Sequence, residues 1–239
     1  MNYLLLFQLI THISVIPMLY YGQWYHYLIT VFVYFITGCF GMTVTYHRLL
    51  SHRSFNPIIL FEKIGTLCGV IGGTGSSIAW VAIHREHHRF TDTDKDPHSP
   101  HHGFFRVQFL SMLKKPNIKY VPDLLRSNFH LLVHRQYWSI HAVYAVILCI
   151  MLGPFALVYA YLFPSFILWH AGSFINTLGH YDGTVITPAN RWWLGITMWG
   201  EGYHKNHHDR PASPNFGDTI KWYNIDIGYY FIKTFLSKK

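Results

Sequence analysis

Charge is what this sequence has least of. Only 13% of its 239 residues are Asp, Glu, Lys or Arg, against about 25% in a soluble domain. The scarcity is uneven: Met1 to His47 and Gln136 to Tyr181 hold no charged residue, so all 30 charges fall in Arg48 to Arg135 and Asp182 to Lys239. Cysteine is nearly as scarce. Cys39, Cys68 and Cys149 stand alone in apolar surroundings, which excludes a disulfide framework and a thiolate metal site. No basic run precedes the first apolar stretch and no small-residue cleavage site follows it, so no cleaved signal is expected.

A membrane crossing takes about 20 helical residues, so charge-free runs of 47 and 46 residues each accommodate two crossings and a tight turn. The expected fold is an all-α integral membrane protein with four transmembrane helices in two hairpins, carrying a histidine-rich helical cap. One domain spans residues 1–239. Hairpin 1 covers residues 3–46 and turns at Gly22-Gln23 beside Tyr20, Tyr21, Trp24 and Tyr25; the first part of the cap covers 47–135. Hairpin 2 covers 137–181 and turns near Tyr161 to Pro164; the second part of the cap covers 182–239. An even number of crossings puts both charged blocks on one side. Both are positive, with 12 basic against 6 acidic residues and 7 against 5, so the cap and both termini of this multi-pass protein are expected in the cytoplasm. The net charge of +8 is spread along the cap and flanks apolar segments, a membrane-orienting pattern rather than a nucleic-acid recognition stretch.

Ile64 to Ile83 is also free of charge. A crossing there would separate His47 and His52 from His84, His87 and His88 by the roughly 30 Å of the hydrocarbon core. Its five glycines also weaken a lipid-facing helix. This stretch is therefore placed in the interface, under the cap.

Histidine is abundant, at 18 residues. His47 and His52 stand in HRLLSH, His84, His87 and His88 in HREHH, and His204, His207 and His208 in GEGYHKNHH; His180 ends NTLGH, with Asn176 four residues before it. Positions i, i+3 and i+4 share a helix face, so each HxxHH is expected to project three imidazoles toward one place. Nine imidazoles exceed what one metal ion holds, which points to a di-metal centre. Neutral imidazole suits iron, copper, zinc and nickel, so residue type alone does not choose among them. His12, His26, His141 and His170, isolated in apolar segments, are read as structural.

These motifs, in this order from Thr43 to His208, resemble the membrane fatty acyl desaturases of the delta-9, stearoyl-CoA desaturase type. HREHH followed by TDTDKDPHSP, NTLGH and the extended GEGxHxxHH third box carry the likeness. The resemblance implies that His47, His52, His84, His87, His88, His180, His204, His207 and His208 bind two iron ions, with Asn176 contacting one through water. Zinc is an expected substitute in preparations. The resemblance also implies four transmembrane helices, and a reaction in which an external donor reduces the centre, O2 is activated, and neighbouring methylenes each lose a hydrogen to give a cis double bond and water. Trp80, one turn before His84, is placed at the acyl tunnel. Glu201 and Asp96 are placed behind the ligands, where an acceptor orients a metal-bound imidazole; Asp96 and His98 in DPH also read as a turn that shapes the cap.

Two departures from the pattern stand out. Val81, Ala82 and Ile83 replace the charged residues that acyl-CoA enzymes carry before the second box, and Tyr203 replaces a usual Trp. The pattern is closer to bacterial or cyanobacterial acyl-lipid enzymes, so the acyl carrier is a lipid or CoA, and Arg106, Lys114 and Lys115 are available to a phosphate head group. No haem, flavin or nicotinamide motif is present, which implies a separate donor, a ferredoxin or a cytochrome b5, steered by the positive cap. A membrane di-iron hydroxylase would use the same histidines. A histidine-rich metal transport or storage protein is expected to carry ionisable residues inside its crossings, and these runs hold only His12, His26, His141 and His170, with no acids.

Overall fold

A computed structural model of the chain describes residues 3–217 and 225–236, and these are helical apart from loops and two isolated bridges, Tyr181 with Ile186 and Asn190 with Tyr203. Helices α1 (Tyr3–Ile13) and α2 (Val15–Tyr21) form one apolar rod. The chain turns at Gly22-Gln23, where Gln23 and His26 make a reciprocal cap, and runs back as α3 (Trp24–Tyr34). That helix continues without a break through Phe35–Ser51 in wider π turns, one turn beyond the expected end of hairpin 1. His47 therefore sits on the helix itself rather than after it.

The stretch expected in the interface is broken into α4 (Ile59–Ile71) and the first half of α5 (Ser77–Phe90), separated by Gly72 to Ser76. The Ser76 hydroxyl caps α5 by accepting from the Ala79 amide. Helix α4 lies against the π segment at glycine: a Cβ on Gly41 would stand 2.5 Å from the Gly69 nitrogen. Small residues are what let two helices approach this closely.

After α6 (Phe104–Leu110) come α7 (Asn128–Arg135) and α8 (Tyr137–Leu152), bent by 69° where they join. The turn expected near Tyr161 to Pro164 lies instead at Gly153, whose φ of 83° ends α8. Pro164 does not end a helix here. A π turn over Val158–Leu162 leads directly into α9 (Phe163–Leu178), and the Ala160 carbonyl that Pro164 cannot reach accepts from the Tyr144 hydroxyl at 2.9 Å. Short helices α10 (Trp192–Thr197), α11 (His204–Asp209) and α12 (Ile227–Phe231) complete the described chain.

Three helices are long and apolar enough to cross a membrane, Tyr3–Tyr21, Trp24–Ser51 and Val158–Leu178, and the bent pair α7 and α8 makes a fourth if it counts as one span. Leu9, Ile13, Leu19, Leu28, Val31, Phe32, Ile150 and Met151 on these helices are exposed. An apolar surface of this extent is what a membrane covers.

The four single histidines pair locally. His12 meets His170, the His141 Nδ1 accepts from the Tyr161 hydroxyl, and His26 caps α3.

Candidate metal centre

Four segments bring the nine histidines together: the end of the π segment, α5, the end of α9 and α11. They form two groups. His47, His52, His84, His88 and His207 converge in one, and His87, His180, His204 and His208 in the other, each group's ligand atoms lying within 4.8 Å of one another.

The triplets do not each aim at one place, as their spacing suggested. In α5 the outer pair, His84 and His88, enters the first group and His87 the second; in α11 His204 and His208 enter the second group and His207 the first. Helical residues advance by about 100°, so i and i+4 are nearly aligned while i+3 points well to one side. Two HxxHH helices facing each other thus exchange their middle histidines across two centres.

The nitrogens meet edge to edge. Nε2 to Nε2 separations are 3.0 Å for His47 and His207, 2.8 Å for His52 and His84, and 2.9 Å for His88 and His207. In the second group they are 2.8 Å for His180 and His204, 3.2 Å for His204 and His208, and 3.3 Å for His87 and His208. A metal–nitrogen bond of about 2.1 Å sets two ligands at a right angle about 3.0 Å apart. The observed spacings match the edges of such coordination polyhedra.

The far sides of three rings agree, while Nδ1 of His204 and of His207 has no partner among the described residues. His47 Nδ1 meets Glu201 at 2.5 Å, His87 Nδ1 meets Asp96 at 2.8 Å, and His180 Nδ1 meets Asp92 at 3.1 Å. A carboxylate at Nδ1 assigns the proton there and leaves the Nε2 lone pair inward. Converging lone pairs repel unless a cation lies between them, so the donor set fits two metal ions.

Electrostatics keep the rings neutral. Burial first, and neighbouring histidines second, hold His84, His87, His204 and His207 well below the usual imidazole value. The same causes lower His88 to about 4 and, with Arg85, His52 to about 2. Burial pushes Asp96 up to about 6 and Glu201 up to about 8; a cation at the imidazoles opposes that rise. Because the folded protein disfavours imidazolium, an unfolded chain takes up more protons below pH 6.5, and stability falls with pH. Acidification from pH 7.5 to 5 is expected to lower the melting temperature and release metal together, as scanning fluorimetry and metal analysis after dialysis would show.

Trp80 stacks on His84, with ring centroids 4.9 Å apart and planes 12° apart. It lines a narrow cavity of about 70 Å³ with His47, His84, His204, Asn176 and Glu201, closed by Met42, Leu168, Ile175 and Met198. Asn176 faces this cavity rather than bonding a histidine. His98 is also in its wall, 4.2 Å from the His87 ring, and its buried Nε2 has no partner among the described residues.

Two positioning residues were not found from sequence. Arg85, inside HREHH, donates to the carbonyls of Leu50 and Ser51 at the end of the first box and pairs with Asp123 through both terminal nitrogens, at 2.8 and 2.9 Å. Burial alone would raise the Asp123 carboxyl, but hydrogen bonds from Arg85 and Arg53 outweigh it and hold the group below its usual range. Arg85→Lys, which loses the planar fork, is expected to destabilise the protein by about 1.5–3 kcal/mol and loosen metal binding, measured by melting temperature and metal retention. Arg48 is the second. Fully buried, it lies 3.1 Å from Asp226 and 3.6 Å from Glu201, with Phe216 stacked on its guanidinium. Its neighbour His47 and its partner Glu201 are the only sequence cues, and Asp226 lies 178 positions away.

The family model for fatty acid desaturases matches residues 22–238. The sn-2 palmitoyl-lipid 9-desaturase of Nostoc sp. (strain 36) is 34% identical over 85% of this chain and 75% of its own length. Delta-9 acyl-lipid desaturase 1 of Arabidopsis thaliana is 32% identical over 84% and 69%. Acyl-CoA 5-desaturase AL21 of Anemone leveillei is 30% identical over 88% and 69%. The match spans the histidine boxes and the helices that carry them, and this protein belongs to the fatty acid desaturase family, oxidoreductases that act on acyl chains.

Proposed function

We propose that this protein inserts a cis double bond at the delta-9 position of a saturated, lipid-linked acyl chain, using O2 and two iron ions. The observation that carries the reading is the pairing of nine converging imidazoles with an apolar cavity ending on the same histidines. His47, His52, His84, His88 and His207 would hold one iron, and His87, His180, His204 and His208 the other, with Asn176 contacting one of the two through water. Bound there, two iron ions would supply the redox chemistry by which O2 is reduced to water with two electrons from an external donor and the two hydrogens and two electrons of neighbouring methylenes. The protein's share is placement: Met42, Leu168 and Ile175 exclude water, Trp80 fixes the chain beside His84, and Glu201 and Asp96 hold ring orientation. The relatives named for lipid-linked substrates at delta-9, and the apolar Val81 to Ile83 segment, favour acyl-lipid over acyl-CoA.

The membrane arrangement belongs to the same proposal. Four crossings in two hairpins keep the histidine-bearing cap and both termini in the cytoplasm, where an acidic ferredoxin or a cytochrome b5 delivers electrons. Expression in a host lacking its own delta-9 desaturase, followed by gas chromatography with double-bond location, tests the reading. New cis-9 monoenes that vanish in His84→Ala support it; hydroxylated chains would assign the protein to the hydroxylases instead.

A further inference from the structure

Beside the cavity that ends on the histidines lies a second, larger one of about 510 Å³, walled by Pro97, His102, Arg106, Val107, Leu110 and Lys114. A single turn divides the two. Pro97 faces this groove, while the next residue, His98, faces the catalytic cavity. Hydrogen bonds tie the dividing turn: Asp96 accepts from the Asp92 and His98 amides, and the His102 ring donates to the Asp96 carbonyl at 2.8 Å.

The groove borders an exposed apolar surface. Its outer wall is α6, which packs on the span α9 through the Gln108 amide, donated to His170 Nδ1 at 3.0 Å. Phe104, Phe105 and Leu110 of α6 are exposed at 53%, 69% and 44%, and a helix end with outward aromatics beside a cation is the pattern of an interfacial segment. Arg106 stands among them and makes no hydrogen bond or ion pair with the described residues, while Lys114 reaches only Glu86, at 3.8 Å. The groove therefore presents two cations beside exposed apolar side chains, Lys114 loosely engaged and Arg106 without a partner among the described residues. An arginine with an uncommitted fork matches a phosphate bidentately.

We propose that this groove holds the phosphate of the phosphoglyceride that carries the acyl chain, with Arg106 as its anchor and Lys114 as a second cation, so that the chain passes beside the Asp96 to Ser99 turn into the catalytic cavity. The proposal rests on the desaturase reading for the chain's destination and adds the chemistry of its carrier. A water-borne thioester would not need Phe104, Phe105 and Leu110 turned toward lipid. A neutral galactolipid would leave Arg106 unmatched.

The test uses the metal-loaded, full-length protein in detergent micelles, with dipalmitoyl phosphatidylglycerol, dipalmitoyl monogalactosyldiacylglycerol and palmitoyl-CoA as probes, read by native mass spectrometry. Arg106→Ala is expected to weaken phosphatidylglycerol binding about tenfold while galactolipid binding, metal content and melting temperature stay unchanged. Arg106→Lys should recover part of the loss. In turnover, Arg106→Ala should raise KM for phosphatidylglycerol with kcat within about twofold. Unchanged phosphatidylglycerol binding, an equal loss for the galactolipid, or an Arg106 dependence confined to palmitoyl-CoA would each overturn the proposal. Binding is read without turnover, so a protein that binds phosphatidylglycerol through Arg106 but oxidises no carrier would sink the desaturase reading and leave the groove assigned.

Discussion

Replacing His207 with Ala is expected to abolish product formation and to release at least one of the two metal ions. His207 is the residue on which the first group depends, because its Nε2 lies 3.0 Å from that of His47 and 2.9 Å from that of His88. Its ring also packs against Phe216 at a 44° tilt, with centroids 4.4 Å apart, and Phe216 in turn covers Arg48. Removal opens one coordination position and unseats the ring that spaces two others. The same substitution at His170, paired with His12 outside both groups, should leave metal content unchanged and serves as the control. Metal analysis after desalting, with product analysis on the same sample, decides between them.

The second large effect is expected at Glu201. Its carboxyl touches His47 Nδ1 and lies beside buried Arg48, so Glu201→Ala removes the group that orients one ligand and strips an acid from a buried cation. Loss of such an orienting partner typically costs 10–100-fold in metal affinity or activity. Glu201→Gln keeps an acceptor at the same reach and should lose about tenfold or less. Asp226→Asn separates the two roles, since it weakens the Arg48 pair without touching His47. If metal affinity follows only melting temperature across the three variants, Glu201 is a structural residue and not an orienting one.

Much of this architecture was legible because membranes and metals impose local patterns. Charge-free runs marked the apolar helices, and Gly22-Gln23 gave the first turn because nothing long-range competes with it. The second turn was misplaced because Pro164 reads as a helix end until Tyr144, twenty positions earlier, takes up the freed carbonyl. The nine histidines were readable from spacing, but their division into five and four was not: it depends on how α5 and α11 face each other, which no local motif encodes. Arg85 was hidden in plain view between ligands, since its role lies in reaching Asp123 and the carbonyls of another segment.

The measurement that bears most directly on the central claim is the iron content and X-ray absorption of protein reconstituted anaerobically with ferrous iron, beside His207→Ala and His204→Ala. Two irons per chain with nitrogen neighbours at about 2.1 Å are expected, with loss of iron in both variants, since each strips a different group. One iron per chain, or a full complement retained when His207 and His204 are both replaced, would contradict it.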